Sequence, residues 1–229
     1  MARQSSRGTC SYCQGSYAKS AMARHLKACK ARREEGESCA NSSPKGSAKR
    51  TILHLQVEGR YRPMYWMHIE IPANAALTDL DEFLRRTWLE CCGHLSSFEI
   101  AGETFFSEKM EPGDRSMNMA LGKVIGPGMK FEHTYDFGTS TELSLKVISA
   151  RQGLAQGKAV RIMARNDPPD IECESCGKPA VSVCCQCIDE GTGFVCEDCA
   201  EKHECGDDML LPVVNSPRMG MCGYTGDAY

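Results

Sequence analysis

Long apolar segments are missing from this sequence of 229 residues. No run approaches the roughly 18 apolar residues that a membrane-spanning helix needs. The first residues, Met1 to Arg7, do not lead into an apolar stretch of the kind found in secretory signal peptides. These absences argue against an integral membrane protein. We expect a soluble, cytoplasmic protein without a membrane partner.

The sequence also lacks the motifs of common hydrolases and nucleotide-binding enzymes. It contains no nucleophile elbow, no phosphate-binding loop and no His-Glu-x-x-His pair. The remaining candidates for a catalytic site are His54, His68, His94, Glu99, Glu132, His133 and Asp136. A lone histidine on a strand is more often packed than catalytic, so we expect no catalytic residue and no small-molecule cofactor. An enzyme is the better interpretation only if His94, His133 and Asp136 converge on one cleft with an open metal position.

Basic residues are scarce towards the carboxyl end. Residues 169–229 contain 3 Lys and Arg against 12 Asp and Glu, a net charge of −9. Residues 1–50 contain 11 Lys and Arg and 3 Asp and Glu, a net charge of +8. Residues 51–168 contain 13 Lys and Arg and 15 Asp and Glu, a net charge of −2. The segments therefore sum to −3, the charge of the whole chain. The amino-terminal end suits phosphate groups, and the carboxyl-terminal end repels them.

Cysteine, in contrast, is abundant, with 15 residues in the chain and eight of them between Cys173 and Cys205. Thiols stay reduced in the cytoplasm, so this density indicates metal binding rather than disulfides. A Cys-x2-Cys turn directs two sulfurs at one point, and two such pairs complete a tetrahedral zinc site. Four close pairs therefore predict two zinc sites. Because each site is complete without a vacant position, we expect structural rather than catalytic zinc.

The order of these pairs favours an interleaved arrangement that resembles the cross-brace modules of the B-box and ZZ type. Pairs one and three then hold one zinc, and pairs two and four hold the other. The predicted ligands are Cys173, Cys176, Cys196 and Cys199 for the first site, and Cys184, Cys187, His203 and Cys205 for the second. Cys185 is left over. Cys222, in the tail, is an alternative to Cys205.

A different zinc signature lies near the amino terminus, within residues 1–36. Cys10, Cys13, His25 and Cys29 have the order and spacing of a finger with Cys-Cys-His-Cys ligands. The last two ligands are four residues apart, which places them on one face of a helix predicted from Ala18 to Arg33. With the two later sites, the sequence predicts about three zinc ions per chain.

The predicted finger helix is strongly basic. Six residues are candidates for contacts with nucleic acid: Lys19, Arg24, Lys27, Lys30, Arg32 and Arg33. The alternative is a solvated basic face on a protein-binding finger. A single finger reads about three base pairs, so we expect weak binding with little specificity. Residues 37–50 are polar and lack apolar periodicity, which predicts a flexible linker.

Residues 51–167 have the pattern of an α+β domain, a mostly antiparallel sheet around one main helix from Thr78 to Cys91. Thr78 is the predicted N-cap, with Asp81 at the N3 position. We predict strands at Leu53–Val57, Tyr65–Ile71, Leu95–Ile100, Thr104–Phe106, Met129–Phe137 and Leu143–Ala150, an edge strand at Ala159–Ala164, and a helical turn at Met119–Val124.

The same region carries a recognisable set of motifs: Arg62-Pro-Met-Tyr-Trp66, Ile71-Pro-Ala73, His94-Leu-x-x-Phe-Glu-Ile100 and Tyr135-Asp-Phe-Gly138. Residues 51–150 resemble the Ri-plasmid ORF-three-like family, which is also met as a passenger protein of bacterial insertion elements. The resemblance extends to Asn215-Ser-Pro-Arg218 and Cys222-Gly-Tyr224 in the tail. It implies a fold and an association with plasmids or mobile elements, but no settled activity. Many relatives continue with an acidic pair and Trp-Glu-His, where this chain has Thr139-Ser-Thr-Glu142.

Together these features predict a non-catalytic adaptor in three parts. The basic finger contacts nucleic acid, the central domain positions it, and the acidic module of residues 168–229 binds an unidentified protein partner. One alternative is a hydrolase or nuclease whose site lies in the central domain and whose zinc modules only target it. The other is a regulator that binds protein alone.

Overall fold

The computed structural model describes residues 6–42, 49–154 and 159–226. Within these ranges the strands are β1 (Arg7–Cys10), β2 (Ser16–Ala18), β3 (Arg50–Gly59), β4 (Trp66–Pro72), β5 (Ser96–Ile100), β6 (Glu103–Phe106), β7 (Arg115–Ser116), β8 (Lys130–Tyr135), β9 (Thr141–Gly153), β10 (Arg161–Asn166), β11 (Ser182–Cys184), β12 (Phe194–Val195) and β13 (Leu210–Pro212). The helices are α1 (Lys19–Ala28), α2 (Lys30–Ser42), α3 (Leu77–Leu84), α4 (Leu121–Val124) and α5 (Glu197–Ala200). None of the helices in these ranges has both the length and the apolarity needed to cross a membrane.

One large sheet dominates the fold. Its ten strands lie in the order β2-β1-β10-β4-β3-β9-β8-β5-β6-β7, and every pair is antiparallel except β6 with β7. A second, three-stranded sheet has the order β12-β11-β13. The predicted α+β class with a mostly antiparallel sheet is therefore confirmed.

The two faces of the large sheet are covered by different parts of the chain. Along β4, Met67, Ile69 and Ile71 point into the main core with the apolar side of α3, as the period of two in a strand requires. Trp66 and Glu70 lie on the opposite face, where they contact the amino-terminal helices. All seven residues of β4 are buried, since both faces are covered.

The main helix begins and ends at residues other than those predicted. Its N-cap is Ala76, whose backbone N–H donates to Asp79 Oδ2 at 2.7 Å, so the predicted Thr78 cap is wrong. Asp81 instead lies in the core, where its Oδ1 is 2.6 Å from His133 Nε2. The helix ends at Leu84 and continues as a π-helical segment over Arg85–Leu89.

The predicted hairpin between β5 and β6 is present. Ala101 and Gly102 form its two-residue turn with φ angles of 53° and 82°, the left-handed pair that matches the twist of a hairpin. The predicted edge strand differs, because β10 pairs with β4 on one side and with β1 on the other. The finger strands occupy the edge position instead.

The amino-terminal finger is thus part of the central sheet. In the register of β1 and β10, Gly8 lies opposite Asn166. A Cβ atom on Gly8 would lie 2.4 Å from the carbonyl oxygen of Arg165 and 2.6 Å from the Trp66 ring, so only glycine allows this approach. Hydrogen bonding therefore continues across the predicted boundary between finger and central domain.

The predicted continuous helix from Ala18 to Arg33 is wrong. Helix α1 ends at Ala28, Cys29 has an extended conformation with ψ of 118°, and α2 starts at Lys30. The predicted linker over residues 37–50 is also partly wrong, because α2 extends to Ser42, two residues before Pro44 in the sequence. Residues 43–48 of that linker lie outside the described residues.

The tail after β13 packs across the central domain. The Ser216 hydroxyl donates to the Trp88 carbonyl at 2.6 Å, and Arg62 donates to the Met219 carbonyl at 2.9 Å. On β10, Arg165 donates to the Asn215 carbonyl at 2.5 Å. Arg165 shares its face of the sheet with Met67, its register partner. The tail therefore lies on the core face, opposite the amino-terminal helices.

Candidate metal centres

Four groups of cysteine and histidine side chains come together in the described part of the chain. Within each group, the possible ligand atoms lie within 4.8 Å of one another. Tetrahedral zinc with Zn–S bonds of about 2.3 Å separates two sulfurs by roughly 3.8 Å, so these spacings suit metal coordination. The groups are Cys10, Cys13, His25 and Cys29; Cys91, Cys92, His94 and Cys222; Cys173, Cys176, Cys196 and Cys199; and Cys184, Cys187, His203 and Cys205.

The amino-terminal group is assembled by a tight turn and a helix. Cys10 ends β1, and its carbonyl accepts the Gln14 N–H at 2.9 Å, which turns the Cys10–Cys13 segment back on itself. Helix α1 brings His25 Nε2 to 3.4 Å from Cys13 Sγ. Cys29 reaches the group as the residue that ends α1, not from the helix face that the sequence predicts.

The finger uses the central sheet as part of its core. Met22 and Leu26, both fully buried, pack in one cluster with Trp66 of β4 and Met163 of β10. Two apolar side chains beside a zinc site form too small a core for an independent fold. Contact with the sheet supplies additional apolar burial.

Two of the six predicted nucleic-acid contacts are engaged within the protein. Lys19 pairs with Glu58 and also donates to the Pro63 carbonyl at 2.8 Å. Arg32 pairs with the buried Glu70 at 2.5 Å. Both cations orient the finger on the sheet, so they are less available to phosphate.

The other four basic residues, Arg24, Lys27, Lys30 and Arg33, are exposed. Lys30 is 3.5 Å from Glu34, an exposed pair of the kind that contributes little. Arg24, Lys27 and Arg33 form no ion pair with another described residue. Arg24 and Lys27 lie on α1, and Lys30 and Arg33 lie on α2, so exposed basic residues occur on both sides of the break at Cys29.

The first carboxyl-terminal group joins ligand pairs one and three. Gly177, with φ of 71°, closes the Cys173–Cys176 turn by donating to the Cys173 carbonyl at 2.8 Å. Cys196 caps the short helix α5, which carries Cys199. Cys176 Sγ is 3.5 Å from Cys196 Sγ and 3.8 Å from Cys199 Sγ.

The second carboxyl-terminal group joins pairs two and four. Cys187 Sγ lies 3.7 Å from both His203 Nε2 and Cys205 Sγ. The sequence left Cys205 and Cys222 as alternatives, and the structure places Cys205 in this group. The interleaved pairing thus has the arrangement expected of a cross-brace module.

Hydrogen bonds prepare one thiol of each carboxyl-terminal group for metal binding. Backbone hydrogen bonds, chiefly from the N–H of Cys196, outweigh desolvation and lower the pKa of Cys173 to about 6. For Cys184, burial raises the pKa, but backbone hydrogen bonds from Cys187 and Gln186 outweigh it and lower the pKa to about 6. Thiolates are the metal-binding form of cysteine.

The fourth group was missed by sequence reasoning. Cys91, Cys92 and His94 follow the π-helical segment, whereas Cys222 comes from the tail. The spacing Cys-Cys-x-His was the only local signal, and it does not reveal the fourth ligand. His94 Nε2 is 2.9 Å from Cys92 Sγ and 3.2 Å from Cys222 Sγ.

The groups of the enzyme hypothesis do not converge on one cleft. His94 Nε2 is 3.4 Å from Asp136 Oδ2, but His133 is buried in the core against Asp81. His54 and His68 form a separate buried pair, with 2.8 Å between their ring nitrogens. His94, His133 and Asp136 therefore do not meet in one cleft, which was the condition for preferring an enzyme.

Comparison with known proteins leaves the function open. No family model and no curated protein matches the chain. Among solved structures, the chain is similar to a protein of unknown function, MM3350, from Methanosarcina mazei Go1, with 17% sequence identity and a TM-score of 0.43. The match covers 52% of this chain and 71% of that chain.

Proposed function

We propose that the protein is a non-catalytic zinc-binding adaptor that joins a nucleic acid to a protein partner. The proposal is supported by the placement of a basic finger and an acidic cysteine-rich module on opposite faces of one sheet. The finger contacts the face of Trp66 and Glu70, and the tail of the acidic module contacts the face of Arg165. Such an arrangement lets both ends bind at the same time.

Zinc is the metal that this proposal assigns to the finger and to the two carboxyl-terminal groups. Each group contains four nitrogen or sulfur ligands and no carboxylate. Thiolates and imidazole at tetrahedral spacing suit zinc, whereas Mg²⁺ and Ca²⁺ prefer oxygen. When bound, the ions stabilise segments with little apolar core.

The nucleic-acid contact is assigned to the surface of Arg24, Lys27, Lys30 and Arg33. Electrostatic binding of this kind weakens as salt rises, by about one unit of logarithmic slope per phosphate contact. The test is fluorescence anisotropy of labelled duplex and single-stranded oligonucleotides at several salt concentrations. A triple variant, Arg24→Gln with Lys27→Gln and Arg33→Gln, should bind more weakly with a shallower slope.

The matched control removes the same charge from exposed residues of the central domain, with Arg86→Gln, Lys109→Gln and Lys123→Gln. We expect nearly unchanged binding for this control. If the two triple variants behave alike, the finger surface is not the contact. If the unaltered chain shows no salt-dependent binding, the protein-only regulator is the better interpretation.

The protein partner is assigned to the acidic surface that follows α5, where Glu201, Glu204 and Asp207 are exposed. A cationic partner surface complements it. Pull-down with the full chain should recover a partner that is lost with Glu201→Gln, Glu204→Gln and Asp207→Asn. A control with Glu82→Gln, Glu108→Gln and Glu111→Gln should retain that partner.

We also propose that residues 51–150 are related to the Ri-plasmid ORF-three-like family and that the protein is associated with mobile elements. The support is the motif Tyr135-Asp-Phe-Gly138, which forms the turn between β8 and β9. In this turn Asp136 has φ of 65°, and its Oδ1 accepts the N–H of Gly138 at 2.9 Å. The test is whether genes for close homologues lie beside transposase genes in several genomes. Unrelated neighbours throughout would contradict the association.

A further inference from the structure

The group of Cys91, Cys92, His94 and Cys222 unites two distant parts of the chain. His94 and Cys222 are separated by 128 positions in sequence. The tail must cross the central domain to bring them together, and residues Ser216, Pro217, Arg218, Met219 and Gly220 are buried along that path. An interaction at Cys222 therefore fixes the far end of a buried segment.

The distances within the group suit coordination of one metal ion. Cys91 Sγ is 3.6 Å from Cys92 Sγ, and Cys92 Sγ is 3.8 Å from Cys222 Sγ. These values approach the roughly 3.8 Å between two sulfurs on tetrahedral zinc. A disulfide needs about 2.05 Å between sulfurs, and the His94 nitrogen has no place in one.

The surroundings of the group provide a balancing charge. Three thiolates and one Zn²⁺ ion carry a net charge of −1. Arg218 is fully buried, and its Nη2 donates to Cys91 Sγ at 3.3 Å. A buried guanidinium beside a ligand sulfur stabilises its thiolate form, as cations near metal-ligating cysteines do.

We propose that Cys91, Cys92, His94 and Cys222 bind a fourth zinc ion, which fastens the tail to the central domain. The ion replaces weak contacts between thiols by bonds that hold Cys222 to the segment after α3. Unlike the other three groups, this one has no fully buried ligand, since Cys92 and Cys222 are exposed. The site therefore exchanges metal with solvent more easily. This inference does not depend on the adaptor function.

The test is the zinc content of the purified full chain by mass spectrometry. We expect about four zinc ions per chain, and about three for Cys222→Ser and for Cys92→Ser. Cys185→Ser is the matched control, because Cys185 lies outside all four groups and should retain four. Amide exchange of residues 215–224 should accelerate in Cys222→Ser and Cys92→Ser but not in Cys185→Ser.

Cobalt provides a second measurement that does not rely on counting zinc. The four groups contain 13 cysteines, and loss of the fourth site removes three of them from coordination. The absorption from thiolate-to-cobalt charge transfer should therefore fall by roughly a quarter in Cys222→Ser. Three zinc ions in the unaltered chain would overturn the proposal, as would equal zinc content in Cys92→Ser and Cys185→Ser. Cys92 is exposed, so its substitution leaves the folded core intact.

Discussion

The guanidinium of Arg218 donates to the carboxylate of Asp136 at 2.9 Å, which joins the tail to the turn between β8 and β9. Both side chains are buried. Burial opposes ionisation of Asp136, but hydrogen bonds from Arg218 and from the backbone of Gly138 and Thr139 outweigh it and lower its pKa. Arg218 Nη1 donates to the Thr139 carbonyl and to the Thr141 hydroxyl, each at 3.0 Å.

Replacing Arg218 should destabilise the protein strongly. Arg218→Met leaves the Asp136 carboxylate buried without its cation, which costs about 3–5 kcal/mol in comparable cases. The measurement is urea unfolding in excess zinc. Arg115→Met is the control, because Arg115 pairs with Glu103 at the surface, where such pairs contribute less than about 1 kcal/mol. If both variants lose the same free energy of unfolding, the buried Arg218–Asp136 pair stabilises the protein no more than a surface pair.

Stability should fall below about pH 6.5 because of the histidine pair in β3 and β4. Burial lowers the pKa of His54 to about 4 and that of His68 to about 3. In the unfolded chain both take up protons near pH 6.5, so this stability is complete above that pH and is lost as pH falls towards the folded-state values.

The variant His54→Gln isolates this effect, since zinc release at low pH affects both proteins. Between pH 7 and pH 5, the free energy of unfolding should fall by about 1–2 kcal/mol more in the unaltered chain than in the variant. Urea unfolding at the two pH values measures the difference. Parallel pH profiles would mean that His54 does not contribute.

Double substitutions should reveal which ligand pairs share an ion. Cys173→Ser with Cys199→Ser affects one group and should remove about one zinc. Cys173→Ser with Cys184→Ser affects two groups and should remove about two. Zinc content by mass spectrometry distinguishes the two outcomes. The opposite pattern would support sequential rather than interleaved pairing.

Gly8 and Gly36 should respond to alanine in opposite directions. Gly8→Ala forces a methyl group against the Arg165 carbonyl and the Trp66 ring, which should cost about 1–3 kcal/mol and loosen β1 from β10. Gly36 lies within α2 with no atom within 4 Å of an added Cβ, so Gly36→Ala should stabilise the helix by about 0.5–1 kcal/mol. Thermal unfolding of both variants measures these changes. A destabilised Gly36→Ala would contradict the open environment of that position.

The sequence by itself predicted three ligand groups, with Cys205 and Cys222 left as alternatives, and it predicted the central strands of the large sheet. Paired ligands two or three residues apart are fixed by the geometry of a single turn, so Cys10 with Cys13 and Cys173 with Cys176 are readable without a fold. Alternation of apolar residues likewise predicted β3 and β4, since the strand period is a local property. Helix boundaries were less predictable. The N-cap lies at Ala76 because the side chain of Asp79, and not that of Asp81, accepts the backbone N–H at the start of the helix.

Only the tertiary structure decided the relations between distant segments. Cys222 joins Cys91, Cys92 and His94 because the tail crosses the core, and no periodicity records that path. The incorporation of β1 into the large sheet likewise depends on distant segments. β1 pairs with the free edge of β10, and Gly8 packs closely against the Trp66 ring. Ligand pairs that are close in sequence can be predicted from their spacing alone. The pairing of strand edges and the contacts between distant segments depend on how the whole chain packs.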